Sequence, residues 1–393
     1  MQIHAMQQRI MDTVDQHKSV FLKISHQIHD YPELGNQEYR SSELLANTLQ
    51  DFGFIVERNF AGLETAFCAR KSNGNGPRVA FLAEYDALPD LGHGCGHNII
   101  GTASTAAGIA LGVVLEDIQG EVWVIGTPAE ETEGTKAGMV NQGVFKNVDA
   151  ALMIHPHEGN YMLPQSLAMD AFKVSFFGKP SHAAAAPWEG INALDAILLT
   201  FNNVNALRQQ IRPEARVHGV ITQGGSAPNI IPEYTEGRFY VRATTRLYLD
   251  QLVEQFLNCA RSAAQATGCQ VEIEKYENCY DEMIHNLPLA TRFKDYMVKV
   301  LGSASFQRSP DSFGSVDMGN VSHVVPAIHA LVDIADGKVL HPHTHEFCQA
   351  AETPFADIAM LRSAKGLALC GYDLLTDPRF LRKVRQDFKK SLG

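Results

Sequence analysis

Apolar residues recur at helical spacing through residues 6–30, and Pro32 breaks the pattern before a second helical stretch over 39–52, for which Gly53 supplies a stop. Past the turn Asn73-Gly74-Asn75-Gly76-Pro77 the rhythm shortens. The runs 79–83, 122–125 and 150–154 are apolar, bounded by turn residues, and read as buried strands. Between the first two lies 98–116, rich in Ala, Gly and Ile, which reads as a buried crossover helix. Each run leads directly into residues able to bind a metal: Glu84 to His97 after the first, Glu130-Glu131 after the second, His155-Pro156-His157 after the third. Functional groups in an open α/β sheet gather just beyond the carboxyl ends of the strands, so the pattern predicts a site at one end of such a sheet.

From about Met169 the pattern changes. Strands are predicted over 171–177, 216–222, 237–244 and 270–276, with helices over 192–210 and 249–266. The order β-α-β-β-α-β is that of a ferredoxin-like unit, read as a second domain inserted into the first. After about Glu282 the chain returns to α/β character. A helix over 288–301, a loop through Asp317-Met318-Gly319-Asn320, a strand over 327–332, a histidine cluster and two closing helices complete the first domain. The predicted division is 1–168 with 285–393 for the first domain and 169–284 for the inserted one.

Length and composition agree with two domains, since 393 residues at 45% hydrophobic content exceed one ordinary core. Lys plus Arg number 33 against 44 Asp plus Glu, a net charge of −11 that argues against nucleic acid or an anionic membrane as partner. The N-terminus shows no apolar stretch behind a basic segment, and no run reads as long enough to cross a bilayer, so a soluble cytoplasmic protein is expected. Seven cysteines, an odd count, suit reduced thiols in such a compartment.

Two stretches carry candidate chemistry. In 81–100 the residues Glu84, Asp86, His93, Cys95 and His97 bring thiolate, imidazole and carboxylate together, the ligand types of zinc and its neighbours. Cys95 and His97 stand at i, i+2, which in extended backbone places both side chains on one face. Taken alone they read equally well as a packed thiol and a hydrogen-bonded imidazole. The adjacent acids Glu130 and Glu131 cannot point the same way, so one can bind metal while the other faces a water on that metal. A solvated acidic turn is the plainer reading, but Pro128-Ala129 directly after an apolar strand makes it less apt.

The segments Ala83-Glu-Tyr-Asp-Ala-Leu-Pro89, His93-Gly-Cys-Gly-His-Asn98, Pro128-Ala-Glu-Glu131, Met153-Ile-His155, Gly178-Lys-Pro-Ser-His182, Asn229-Ile-Ile-Pro232 and His343-Thr-His-Glu-Phe347 together resemble the aminoacylase-like dinuclear metallohydrolases. That family includes auxin-conjugate hydrolases, aminobenzoyl-glutamate hydrolase and HmrA-type peptidases. The resemblance implies an α/β, mixed-sheet metallohydrolase domain with an inserted ferredoxin-like lid and dimerisation domain. It implies two divalent ions, zinc or manganese, held by Cys95, His97, Glu131, His155 and His343, with Glu130 as general base; if one ligand bridges the ions, Cys95 is the choice for it.

Asp86 would fix the imidazole of His97. His182 would reach into a neighbouring subunit's cleft and steady the oxyanion, which implies a homodimer or homotetramer through the inserted domain, and Asn229 and Arg242 would hold substrate. His157, His341 and His345 are read as surface or supporting residues. Asn98 stands where the auxin branch has Asp, and Glu84-Tyr85 where it has Asp-Met; both match the aminobenzoyl-glutamate side. The expected activity is hydrolysis of an amide in a small peptide or N-acyl amino acid. Two other readings remain: Cys95 as a nucleophile with a distant histidine as base, and a binding protein whose metal is structural.

Overall fold

The computed structural model describes residues 4–310 and 314–392, which divide into two compact units. The first unit holds the described residues up to Gln165, from Met283 to 310, and from Asp317 onward. The second holds Ser166–Glu282 together with Gly314–Val316. That short return is stitched on by the Leu167 amide, which donates to the Gly314 carbonyl at 2.8 Å.

The first unit is built on a six-stranded mixed sheet of β1 (Ile55–Arg58), β2 (Phe67–Asn73), β3 (Arg78–Ala83), β4 (Gly120–Gly126), β5 (Ala150–His157) and β10 (Ala327–Asp333). Across the sheet these strands lie in the order β1-β2-β4-β3-β5-β10. β4, β3, β5 and β10 pair in parallel, while β2 runs antiparallel to β4 and β1 antiparallel to β2. The parallel strands are apolar on both faces because helices cover both. These are α1 (Ala5–Gln16), α2 (Lys18–Asp30), α3 (Tyr39–Asp51), α4 (His97–Gly112), α5 (Thr135–Asn141), α8 (Leu287–Lys299), α9 (Met318–Ser322), α10 (His345–Ala350), α11 (Pro354–Thr376) and α12 (Pro378–Ser391).

The helical period over 6–30 is two helices, interrupted at His17 (φ −100°, ψ 16°). The pair His155 and His157 lies within the end of β5 rather than after it. α4 is buried along all 16 of its residues. Its glycines let it lie close to the sheet: a Cβ at Gly108 would stand 2.2 Å from Cγ2 of Val124, and one at Gly101 2.7 Å from the Glu84 carbonyl. One sequence expectation is corrected here. The segment His97–Glu116 is apolar and long enough to cross a membrane by length and composition, yet 94% of its most apolar window is buried inside the protein. A helix that is hydrophobic all round is what the centre of a large core requires.

The second unit comprises β6 (Ala168–Phe177), α6 (Ala193–Leu207), β7 (Arg216–Gln223), β8 (Tyr234–Ala243), α7 (Arg246–Thr267) and β9 (Gln270–Lys275). Its four-stranded antiparallel sheet has the order β7-β8-β6-β9, the ferredoxin-like topology. Strand alternation sends Phe172, Val174, Phe176, Phe239 and Val241 into one core with Ile197, Leu252, Phe256 and Ala260 of the two helices. α7 starts at Thr245, whose hydroxyl accepts from the Tyr248 amide, and stops at Gly268 in a left-handed conformation (φ 75°).

Candidate metal centre

Each strand end delivers one part of the site. Beyond β3, Asp86 is completely enclosed, and its two oxygens tie two segments together: Oδ1 accepts from His97 Nδ1 at 2.9 Å, and Oδ2 from the Glu131 amide at 3.0 Å. With Nδ1 held by Asp86, the other ring nitrogen of His97 faces inward. Nε2 is buried without a hydrogen-bond partner. At the end of β5, His155 Nδ1 bonds the Pro156 carbonyl at 2.7 Å, which turns Nε2 toward Cys95 Sγ at 3.4 Å.

The turn after β4 is held by an unusual backbone. Ala129 takes φ 56°, a left-handed value that costs a non-glycine residue about 1 kcal/mol or more, and its amide donates to the buried Glu38 carboxylate at 2.8 Å. That turn sends Glu130 and Glu131 in different directions. His343 also has positive φ (64°), and its amide donates to the Gly94 carbonyl at 2.8 Å, which brings its Nε2 to 3.2 Å from Glu131 Oε1.

The same-face argument for Cys95 and His97 is replaced by a different geometry. Gly96 is left-handed (φ 74°) and His97 opens α4, so the two side chains converge at a helix start rather than along a strand. A Cβ at Gly96 would stand 2.8 Å from Pro156 Cγ, so only glycine fits this corner.

Among the groups of ligand-capable atoms within 4.8 Å of one another are the triads Cys95–His97–His155 and Cys95–Glu131–His343, and Cys95 belongs to both. Glu130 stands with His97 and Glu131 in a third grouping of the same kind. One thiol, three imidazoles and a carboxylate, in triads sharing the thiol, fit two adjacent cations of the zinc type. The buried and unpartnered His97 Nε2 is the observation that tests this fit: a ring nitrogen left without a hydrogen bond among acids is accounted for when a cation binds there in place of a proton.

The electrostatics follow from burial and neighbours. Burial opposes charge on His97, but Asp86 overrides it and holds that imidazole well above its ordinary range. Burial and the nearby His97 push His155 down. Burial, then the Glu131 charge beside it, drives the Glu130 carboxyl well above the usual carboxylate range. Burial opposes ionisation of Glu131, and the hydrogen bond from His343 with the charge of His97 outweighs it, so Glu131 is lowered.

Other histidines stand apart. Burial, then His97 and His29, pushes His93 down to about 3, and its ring stacks on His29 at 6.1 Å. His157 packs edge-on against Tyr161, His341 lies 3.7 Å from Glu158, and His345 begins α10. In the second unit His182 is exposed, and its Nδ1 accepts from the Ala184 and Ala185 amides at 3.2 and 3.1 Å, so Nε2 carries the ring proton. Asn229 is exposed beside it, its carbonyl accepting from the Ala183 amide. Arg242 lies over the Tyr240 ring with its Nε buried and unpartnered.

Glu38 and Lys136 escaped sequence reading. A lone Glu before a helix and a lone Lys on a short helix carry no signal until tertiary structure buries them.

Residues 80–363 match the model of Peptidase family M20/M25/M40. A mouse (Mus musculus) Xaa-Arg dipeptidase is 38% identical over 409 aligned positions that span 100% of this chain and 94% of that protein. One of the polypeptides of the Escherichia coli p-aminobenzoyl-glutamate hydrolase is 36% identical over 69% of this chain and 60% of its own length. The crystal structure of a Bacillus subtilis dinuclear metal-binding peptidase of the M20 family superposes with a TM-score of 0.64 at 19% identity, covering 88% of this chain and 98% of that one. The chain belongs to peptidase family M20/M25/M40 and is a metal-dependent hydrolase of amide bonds.

Proposed function

We propose that the protein hydrolyses the amide of a dipeptide or an N-acyl amino acid at a pair of divalent ions, zinc or alternatively manganese. Cys95, His97 and His155 would hold one ion and Cys95, Glu131 and His343 the other. The single observation that carries this reading is the sharing of Cys95 by two triads of donor atoms, with Glu130 beside both. When bound, the ions supply Lewis-acid chemistry, acidifying water and polarising the scissile carbonyl.

Glu130 takes the proton of the attacking water on its carboxylate and hands it to the departing amine nitrogen; its raised proton affinity suits that transfer. Asp86 keeps His97 in the Nδ1-protonated form. His182, with a proton on Nε2, would donate to the oxyanion in a neighbouring subunit's cleft, and Asn229 and Arg242 would each hold substrate. The Arg242 guanidinium, with a buried nitrogen lacking a partner, supports that assignment. A substrate bearing a free carboxylate also accords with the dipeptidase and aminobenzoyl-glutamate relatives.

A homodimer or homotetramer through the second unit is part of the proposal. β7 is an edge strand of its sheet and exposes Val220 and Ile221, a surface that a second copy can extend. Seven free cysteines support a cytoplasmic setting.

One contact favours a second reading: Cys95 Sγ and His155 Nε2 lie 3.4 Å apart, as a nucleophile and its base would. Against it, burial, then the Glu131 charge, pushes the Cys95 thiol well above its ordinary range, the reverse of an activated nucleophile. Metal analysis of the purified protein with a panel of dipeptides and N-acyl amino acids separates the two. Two ions per chain, loss of hydrolysis with chelator and recovery with zinc or manganese are expected. Full activity after complete metal removal overturns the proposal.

A further inference from the structure

A second set of buried charges stands behind the metal triads and has no assigned task. Lys136 of α5 is completely buried, with Nζ 2.6 Å from Glu84 Oε1 and 2.8 Å from Asp317 Oδ1, while its backbone amide donates to Asp317 Oδ2 at 3.0 Å. Two carboxylates face one ammonium, so the group holds an unbalanced negative charge. That surplus has a definite place. Glu84 is 2% exposed, and its Oε2 is buried without a hydrogen-bond partner, 3.7 Å from His97 Nε2.

Two unpartnered buried polar atoms therefore look into one spot, the carboxylate oxygen of Glu84 and the Nε2 nitrogen of His97. At 3.7 Å they stand too far apart to hydrogen-bond each other. Such a pair is costly in a low-dielectric interior unless a cation lies close by. Lys136 prevents the alternative, because Glu84 cannot swing away without leaving that ammonium buried and half-paired.

Resting on the two-ion reading above, we propose that Glu84 is a further anionic residue of the metal centre. It strengthens binding of the ion on the Cys95–His97–His155 side, and the contact with Lys136 fixes its direction. The ligand class is a divalent transition metal, and the effect falls on one ion of the pair. The Cys95–Glu131–His343 side lacks this support.

The test is calorimetric titration of the metal-free protein with zinc in backgrounds that isolate each side. His343→Ala leaves the Cys95–His97–His155 triad intact, and His155→Ala leaves the other. Glu84→Gln should weaken zinc binding about 10- to 100-fold in the His343→Ala background, the range for lost supporting contacts, and less than about threefold in the His155→Ala background. Equal affinity with and without Glu84→Gln in the first background overturns the inference, as does an equal loss in both. The pair Glu84→Gln with Lys136→Met restores the net charge and removes the unpaired ammonium, which guards against a folding defect. Weak binding should persist in it, and a return to the parent affinity would overturn a directional role for Glu84. Should the unsubstituted protein bind fewer than two ions, the fault lies with the two-ion reading, not with Glu84.

Discussion

Two polar clusters in this chain treat their hydrogen bonds in opposite ways. In the second unit Arg246 donates from Nε to Asp281 at 2.7 Å, from Nη1 to Asp170 at 2.8 Å and from Nη2 to the Tyr280 carbonyl at 2.7 Å, and Lys275 takes the other oxygen of Asp170 at 2.9 Å. Every charge there has a partner, and the cluster pins the start of α7 to β6 and to the segment after β9. In the first unit His97 Nε2 and Glu84 Oε2 are buried without a hydrogen-bond partner. An unsatisfied buried group costs about 1–3 kcal/mol, so two in one place are not a device for stability. The satisfied cluster builds the fold, and the unsatisfied one is organised for something that binds.

The largest expected effect tests the unsatisfied side. Glu130→Gln should lower kcat by about 10²- to 10⁴-fold, the range for a general base, while two ions and the wild-type melting temperature are kept. Activity near wild type would remove Glu130 from its role. On the satisfied side, Arg246→Met should cost about 2 kcal/mol in urea unfolding, because Asp281 loses its counter-charge and Asp170 keeps only Lys275, and should leave the zinc stoichiometry at two. A variant that unfolds no more easily yet loses metal would break the contrast between the clusters.

Glu38 lies between these cases. Burial, followed by the charge of Asp86, raises its pKa to about 7, against 4.5 in the unfolded chain. Between these values the folded state keeps a proton that the unfolded state has released, so this group makes stability fall as pH rises from about 4.5 to about 7. At about 1.4 kcal/mol per unit the loss is of order 3 kcal/mol. Glu38→Gln should flatten that part of the curve of unfolding free energy against pH, and an unchanged slope would place the titration elsewhere. The smallest effect is expected at Asp86. Asp86→Asn should weaken zinc binding about 10- to 100-fold by loosening His97, with both triads still able to fill at high zinc. Unaltered zinc affinity would mean that His97 needs no such hold.

Much of the architecture is legible in patterning. Alternation along β6 and β8 and the helical period of α7 predict a ferredoxin-like unit, because one buried face imposes a period on each element. Apolar runs ending in acids and histidines likewise place candidate ligands at strand ends. Local rules failed where backbone strain sets direction. The left-handed Gly96, Ala129 and His343 aim Cys95, Glu131 and the last imidazole, and of these three positions only the glycine hints at such a conformation.

Residue types and their order along the chain determined that there would be an α/β sheet, an inserted βαββαβ unit and a donor set suited to zinc-like ions. Only the tertiary structure decided that Cys95 is common to both triads, that Glu38 braces the acidic turn from 91 residues away, and that Lys136 directs Glu84 toward His97. The reason is physical: periodicity records which face of an element is buried, whereas a charge records its partner only once folding has removed the water between them.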